Sequence, residues 1–288
     1  MQNILVPTDF SPEAHNAFEV ATQLAHRTGG HITLLHVVDA PAASGMITTG
    51  GVVGGSSRHG VYMVQLLQQT KRRMHELMYE VARKFPEVQV QDRIATGHID
   101  DSILEVIQEH QIDLVVVGAQ EHHAVTHLFT PDSHAERLVR LSPCPVLTVK
   151  HPAPNFDVHS IVFASDFAAE ADLAVPSLRQ VCTAFPEAEL HLLDVVTSAE
   201  QADAALERIK AFAQRHQLAA YQPDVYNAPK VRAGIPRYVE QAHPDLVVML
   251  SHGHTGLRHF LQGSVAEAVA VETAAPVLTF HPPVEVTR

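Results

Sequence analysis

The sequence predicts an α/β chain of two tandem doubly wound domains, each a parallel sheet covered by helices on both faces. Three observations predict it. Short apolar runs rich in Val, Ile and Leu alternate with longer stretches of helical period, the order that builds parallel sheets. The run Asp113-Leu114-Val115-Val116-Val117-Gly118 is continuously apolar and β-branched, as a strand buried on both faces requires. The same order of segments then occurs a second time within the 288 residues.

Asn3 to Asp9 reads as a buried strand with a polar tip. Ser11-Pro12-Glu13 opens a helix, with serine as N-cap and proline at the first helical position. Ala17, Val20, Ala21, Leu24 and Ala25 share one helical face, and Gly29-Gly30 ends it. His31 to Val38 is the next strand. Pro41 to Gly60 is rich in Gly, Ser and Thr with almost no charge, the composition of a flexible loop. A long helix is expected over Tyr62–Phe85, then a strand over Val88–Ala95 and a helix over Asp101–His110. After the buried run ending at Gly118 come a His-rich loop, a helix over Ser133–Leu141 and the strand Pro145 to Val149.

His151 to Asp157, with two prolines, is a linker by composition, so domains are expected over 1–150 and 158–288. Beyond it, Ser160 to Phe167 parallels Ile4 to Phe10, and Glu189 to Val196 parallels His31 to Val38. Pro244 to Met249 parallels Ile112 to Val117, and Ala275 to Phe280 parallels Cys144 to Val149. Asp9 and Asp166 are 157 residues apart but Glu121 and Gly253 only 132, so the second copy is 25 residues shorter between those landmarks. The Gly/Ser loop accounts for most of the difference.

Composition narrows the function. With 46% hydrophobic and 18% charged residues, the chain can bury a core, yet no apolar run approaches the roughly 20 residues that span a bilayer. The start, MQNILVPTDF, lacks a leader pattern, and two cysteines, Cys144 and Cys182, are too few for a disulfide framework. A cytoplasmic protein with no membrane partner is expected. A net charge of −12 argues against nucleic-acid binding, although protonating all 21 histidines would carry it to +9. Both cysteines read as packing residues.

Ligands of such sheets lie beyond the carboxyl ends of the strands, near a switch in strand order. In the second half this places Asp166 near the loop Ser251 to Ser264, SHGHTGLRHFLQGS. Glycines admit close approach of a ligand, and Gly263-Ser264 opens a helix whose N-terminus attracts anions. A phosphate seat and a plain capping box, Ser264-x-x-Glu267, explain this stretch equally well.

ILVPTDFS, LLHVV, DLVVVG and AERLVRLSPCPVLTV, echoed in the second half, resemble the universal stress protein family, twice over in one chain. The resemblance implies ATP or another adenine nucleotide as a ligand, held after the fourth strand by Gly-x2-Gly-x9-Gly-(Ser/Thr). It implies the site Ala164, Ser165, Asp166, Val195, Met249, Leu250, His252, Gly253, Gly263, Ser264 and Val265. Asp166 and Val195 would flank the nucleoside, and Leu250 departs from the first glycine of the pattern. In the first half Gly118 remains, but Glu121 replaces the second glycine and Asp132-Ser133 stands for Gly-Ser after Pro131. Two carboxylates oppose phosphate there, so nucleotide is expected in the second half only.

No Walker loop, dinucleotide fingerprint or nucleophile elbow is present, so a non-enzymatic regulatory protein is expected. An interaction or scaffold protein without nucleotide is the rival reading. A further one is metal binding by His122, His123, His127 and His134, near Glu121, Asp132 and Glu136, although no native metal site is expected. The resemblance also implies pairing of the domains through their last strands. The short linker favours pairing within one chain over a homodimer.

Overall fold

The computed structural model describes residues 1–38, 56–120, 133–251 and 265–280. Its first half alternates β1 (Asn3–Pro7), α1 (Pro12–Thr28), β2 (His31–Val38), α2 (Ser56–Lys84), β3 (Gln89–Thr96), α3 (Ile99–Glu109), β4 (Leu114–Gly118), α4 (His134–Leu141) and β5 (Val146–Val149). The second half follows with β6 (Ser160–Ala164), α5 (Val175–Ala184), β7 (Glu189–Val196), α6 (Ala202–Arg215), β8 (Gln222–Asn227), α7 (Val231–Ala242), β9 (Leu246–Leu250), α8 (Val265–Glu272) and β10 (Val277–Phe280). The ten strands of the described residues share one sheet in the order β3-β2-β1-β4-β5-β10-β9-β6-β7-β8. Neighbours within each half run parallel; β5 and β10 meet antiparallel, with Val277 opposite Thr148 and Thr279 opposite Val146. The two halves are thus related by a pseudo-two-fold axis through this seam, and the expected pairing of last strands occurs within one chain.

Strand alternation sends side chains to two cores. One face of the sheet buries Ala17, Leu24, Met74, Leu178, Ile209 and Phe212 from α1, α2, α5 and α6. The other buries Ile103, Leu138, Ile235 and Val269 from α3, α4, α7 and α8. Ser11 caps α1 through its hydroxyl, which accepts the Ala14 N–H, and Gly29 closes the helix in the left-handed region at φ 68°.

Helix α2 begins at Ser56, six residues before the expected start, so the end of the stretch read as a flexible loop is helical. Propagating an existing helix costs far less than nucleating one, so the helix takes in Ser56 to Gly60 despite their loop-like composition. Residues 41–55 of that stretch lie outside the described residues.

The halves differ after their first strands. Where α1 begins directly at Pro12, the equivalent Ala169–Ala174 forms a 3₁₀ segment and α5 starts only at Val175. A continuous helix from Ala169 would hold Pro176 in its interior, and the chain instead places that proline in the first turn of α5. The neighbouring strands differ as well. At Gly118 a Cβ would stand 2.5 Å from the Glu13 carbonyl carbon, so α1 rests its backbone on that glycine. The matching position on β9 is Leu250, whose side chain needs the space.

The linker is built into the core. Phe156 and Val158 are buried, Asn16 Nδ2 donates to the Lys150 carbonyl, and Gln23 Nε2 donates to the Ala153 carbonyl. Gln23 Oε1 accepts the Phe156 N–H, and Arg27 pairs with Asp157 at 2.8 Å. At the outer edge, Asp224 of β8 accepts hydrogen bonds from Tyr238 Oη at 2.7 Å and His191 Nδ1 at 2.8 Å, tying the edge strand to α7 and β7. Burial, reinforced by the Asp224 carboxylate, pushes the Tyr238 phenol well above its ordinary range.

Threonine hydroxyls bind the seam. Thr148 Oγ1 lies 3.1 Å from the Ala270 carbonyl and 3.3 Å from that of Val277, while Thr279 Oγ1 donates to the Val146 carbonyl at 3.2 Å. Both residues are fully enclosed. Replacing Thr148 by valine keeps the shape and removes a buried donor, so Thr148→Val should lower stability by about 1–2 kcal/mol in urea denaturation.

Candidate functional site

At the carboxyl edge of the sheet in the second half, β6 lies between β7 and β9, the point where strand order switches. Ala164 is level with Leu193 on one side and Met249 on the other. Ser165 N–H continues the ladder to the Leu193 carbonyl at 3.0 Å. The chain then turns sharply: Ser165 Oγ accepts the Phe167 N–H, and Asp166 Oδ1 accepts the Ala168 N–H, both at 3.1 Å. Phe167 sits at φ 54°, a strained conformation for a bulky side chain. Its ring is held edge-on against Phe163 and Phe212, with centroids 5.8 and 5.2 Å away. Asp166 projects from this turn exposed to solvent.

The first half repeats the turn. Phe10 N–H donates to Thr8 Oγ1 at 3.0 Å, Ser11 N–H donates to Asp9 Oδ1 at 2.8 Å, and Phe10 has φ 65°. The repeated (Thr/Ser)-Asp-Phe therefore encodes a turn as well as a candidate ligand group.

The structure brings Ala164, Ser165, Asp166, Val195, Met249 and Leu250 to one edge of three adjacent strands. Val195 is packed beneath Gly234 of α7, where an added Cβ would come within 2.5 Å of Val195 Cγ1. Val265 begins α8. His252, Gly253, Gly263 and Ser264 lie outside the described residues, as do His254, His259 and Gly256.

Sequence reading missed Asp194 and Arg208. Asp194 is 3% exposed, on β7 beside Val195, and its Oδ2 accepts from Arg208 Nη2 at 2.7 Å. Arg208 Nε donates to the Asp166 carbonyl at 3.1 Å. Burial raises the Asp194 carboxyl above its ordinary range, against the pull of Arg208. The signal in the sequence is a charge inside a buried run: Leu-Leu-Asp-Val-Val stands where the first half has Leu-Leu-His-Val-Val.

Around α4 the first half is already satisfied. Ser133 Oγ accepts the Glu136 N–H and Glu136 Oε2 accepts the Ser133 N–H, a reciprocal cap on the helix N-terminus. His134, one of the candidate metal ligands, pairs with buried Asp100 at 2.9 Å, which also binds Arg137 at 3.0 Å. Among the described residues no three His, Cys, Asp or Glu side chains converge on a metal position. Glu121, His122, His123, His127, Pro131 and Asp132 lie outside them. Cys144 is buried with its thiol pushed up to about 11 by desolvation, and Cys182 is partly buried on α5 and likewise raised, so both are protonated at neutral pH. Among the described residues no helix is long and apolar enough to cross a membrane.

A sequence model described as the universal stress protein family matches residues 1–150 and again 158–281. The chain belongs to the universal stress protein family. Universal stress protein Slr1230 of Synechocystis sp. is 25% identical over 291 residues, covering 98% of this chain and 100% of that protein. A universal stress protein from Archaeoglobus fulgidus shares the whole fold, with TM-score 0.71 and 16% identity over 97% of this chain and 98% of that one. A universal stress protein solved in complex with cAMP aligns with 44% of this chain and 98% of its own, at 22% identity and TM-score 0.36.

Two outcomes follow from these contacts. Gly118→Ala sets a Cβ against the backbone of α1, which has no flexible end to yield, and should cost about 1–3 kcal/mol by urea denaturation. The 3₁₀ segment after the turn is tethered by Asp172, which binds Arg215 Nη2 at 2.6 Å and His216 Nε2 at 2.7 Å. Slight desolvation raises the Asp172 carboxyl, but hydrogen bonds and charge from Arg215 and His216 outweigh it and hold the carboxyl below its ordinary range. A depressed carboxyl stabilises the fold above its unfolded value, about 3.9, and loses that contribution as pH falls through its folded one. Asp172→Asn should therefore be less stable than the parent at pH 7, and the gap should close on acidification below about pH 4. Paired denaturation curves at the two pH values check this.

Proposed function

We propose that the second half binds ATP or a related adenine nucleotide as a regulatory ligand that is not turned over, in a cytoplasmic stress response. The observation that carries the reading is the gathering of Ala164, Ser165, Asp166, Val195 and Met249 at the switch point of β7, β6 and β9. The chain runs from this edge through Gly253, Gly263 and Ser264 into α8, the spacing that the family uses around phosphates. A helix N-terminus supplies N–H donors and favourable charge to an anion.

The first half supports no such ligand. Its α4 N-terminus is capped by its own Ser133 and Glu136, and Glu121 and Asp132 stand where glycines would meet phosphate. Leu250 in place of a glycine favours one other reading, a scaffold protein that binds partners with both halves empty.

Titration of the whole chain with ATP by calorimetry separates the two. One site per chain is expected, and Gly263→Asp, which brings a carboxylate to the helix N-terminus, should abolish it. No heat of binding at millimolar ATP would sink the nucleotide reading, and an unaltered isotherm for Gly263→Asp would move the site elsewhere. Mass spectrometry of the denatured protein identifies any nucleotide carried through purification.

A further inference from the structure

We infer that Arg208, anchored on buried Asp194 and bonded to the Asp166 carbonyl, is a positioning residue that sets the Ser165–Ala168 turn for ligand in the second half. The guanidinium spans two elements: Nη2 meets Asp194 Oδ2 at 2.7 Å on β7, and Nε meets the Asp166 carbonyl at 3.1 Å on the turn. Asp194 is 3% exposed, so this end of the bridge is fixed in the core. A planar fork bonded at two points holds its acceptors in one relative geometry, which a single flexible contact does not.

The turn needs holding. Phe167 is in the left-handed region at φ 54°, and such strain persists only where surrounding contacts over-determine it. Aromatic packing on Phe163 and Phe212 fixes the Phe167 ring, but the carboxylate-bearing residue just before it is exposed. Arg208 is the side chain that grips the main chain of Asp166 from α6.

The first half solves the same problem with other chemistry. Arg73 of α2 and Arg208 of α6 each reach the turn that follows the first strand of their own half. His36 stands where Asp194 does, and its Nδ1–H donates to the Thr8 carbonyl at 2.7 Å. Phe10 meets the tilted His36 ring, 4.8 Å between centroids, and the Arg73 guanidinium, 4.1 Å from the ring centre. There the arginine lies over the aromatic ring, whereas Arg208 meets the aspartate's main chain. The ion-pair bridge belongs to the half that keeps Gly253, Gly263 and Ser264.

The part of this inference that concerns affinity rests on the adenine-nucleotide reading; the bridge to the turn does not. Two measurements on the full chain keep them apart. Amide hydrogen exchange at Phe167 and Ala168 should quicken at least tenfold in Arg208→Gln, with exchange in β7 and β9 unchanged. Affinities for ATP and for adenosine should fall together, by at least tenfold, since Asp166 lies on the nucleoside side. Arg208→Lys, which keeps the charge beside Asp194 but lacks the fork that meets both acceptors, should recover little of either loss, and adding Asp194→Asn to Arg208→Gln should cost little more. Unchanged exchange in Arg208→Gln overturns the bridge, and unchanged nucleotide affinity with quickened exchange overturns its role in binding. If the parent chain binds neither ATP nor adenosine, the nucleotide reading falls alone and the exchange rates still decide the bridge.

Discussion

Of the strands described, every one but β5 and β10 finds its neighbours within its own half, and those two find each other. An isolated half would end in an open row of backbone donors and acceptors on an apolar strand, an edge that invites foreign strands. Antiparallel pairing closes both rows at once. It also fixes where everything else lies, since a register slip of one residue would send each side chain of the slipped strand to the opposite core. Thr148 and Thr279 reinforce the register from both sides, reaching carbonyls across the seam. Ser251 does so at longer range, its hydroxyl donating to the Val139 carbonyl of the other half. The end of β9, which carries the candidate site, is therefore referenced to α4 of the first half. Arg140 of α4 and buried Glu267 of α8, 3.1 Å apart, add a charged contact across the same boundary.

The repeat explains why so much of this was legible. Continuous apolar runs such as Leu114 to Val117 and Leu246 to Met249 have few conformational options besides a doubly covered strand, and their order leaves few topologies. The Ser11-Pro12 cap was readable for the same reason, since it acts through neighbours close in sequence; the reciprocal Ser133–Glu136 cap is as local but went unread. What was not legible depended on contacts distant in sequence. The 3₁₀ segment at Ala169–Ala174 is an exception, a local break just before Pro176 that the sequence carries. Arg208 looks like any solvated helical arginine until β7 and the turn after β6 are placed beside it. The start of α2 was misjudged because Ser56 to Gly60 has loop composition, whereas helix propagation draws its stability from the run that follows.

The two halves have diverged by redistributing polar groups about one backbone plan. The glycine kept at 118 serves packing against α1, whereas the half retaining the glycines of the phosphate pattern has given up the matching one to Leu250. A glycine at a motif position can thus be required by packing alone, so its presence or absence does not by itself report a ligand. Position within the strand–helix framework is the better guide to what each residue does.

The strap from Lys150 to Asp157, fastened to Asn16, Gln23 and Arg27, has a kinetic meaning. Two separate halves would meet by diffusion, and their pairing would weaken on dilution. Joined by so short a tether, they see one another at an effective concentration on the order of millimolar, whatever the amount of protein present. Dilution cannot then uncouple the second half from the first. Assembly also acquires an order during synthesis, because the tether's anchor points lie on α1, which leaves the ribosome long before β10 exists. The first half presents its open edge only for as long as the remaining chain takes to arrive.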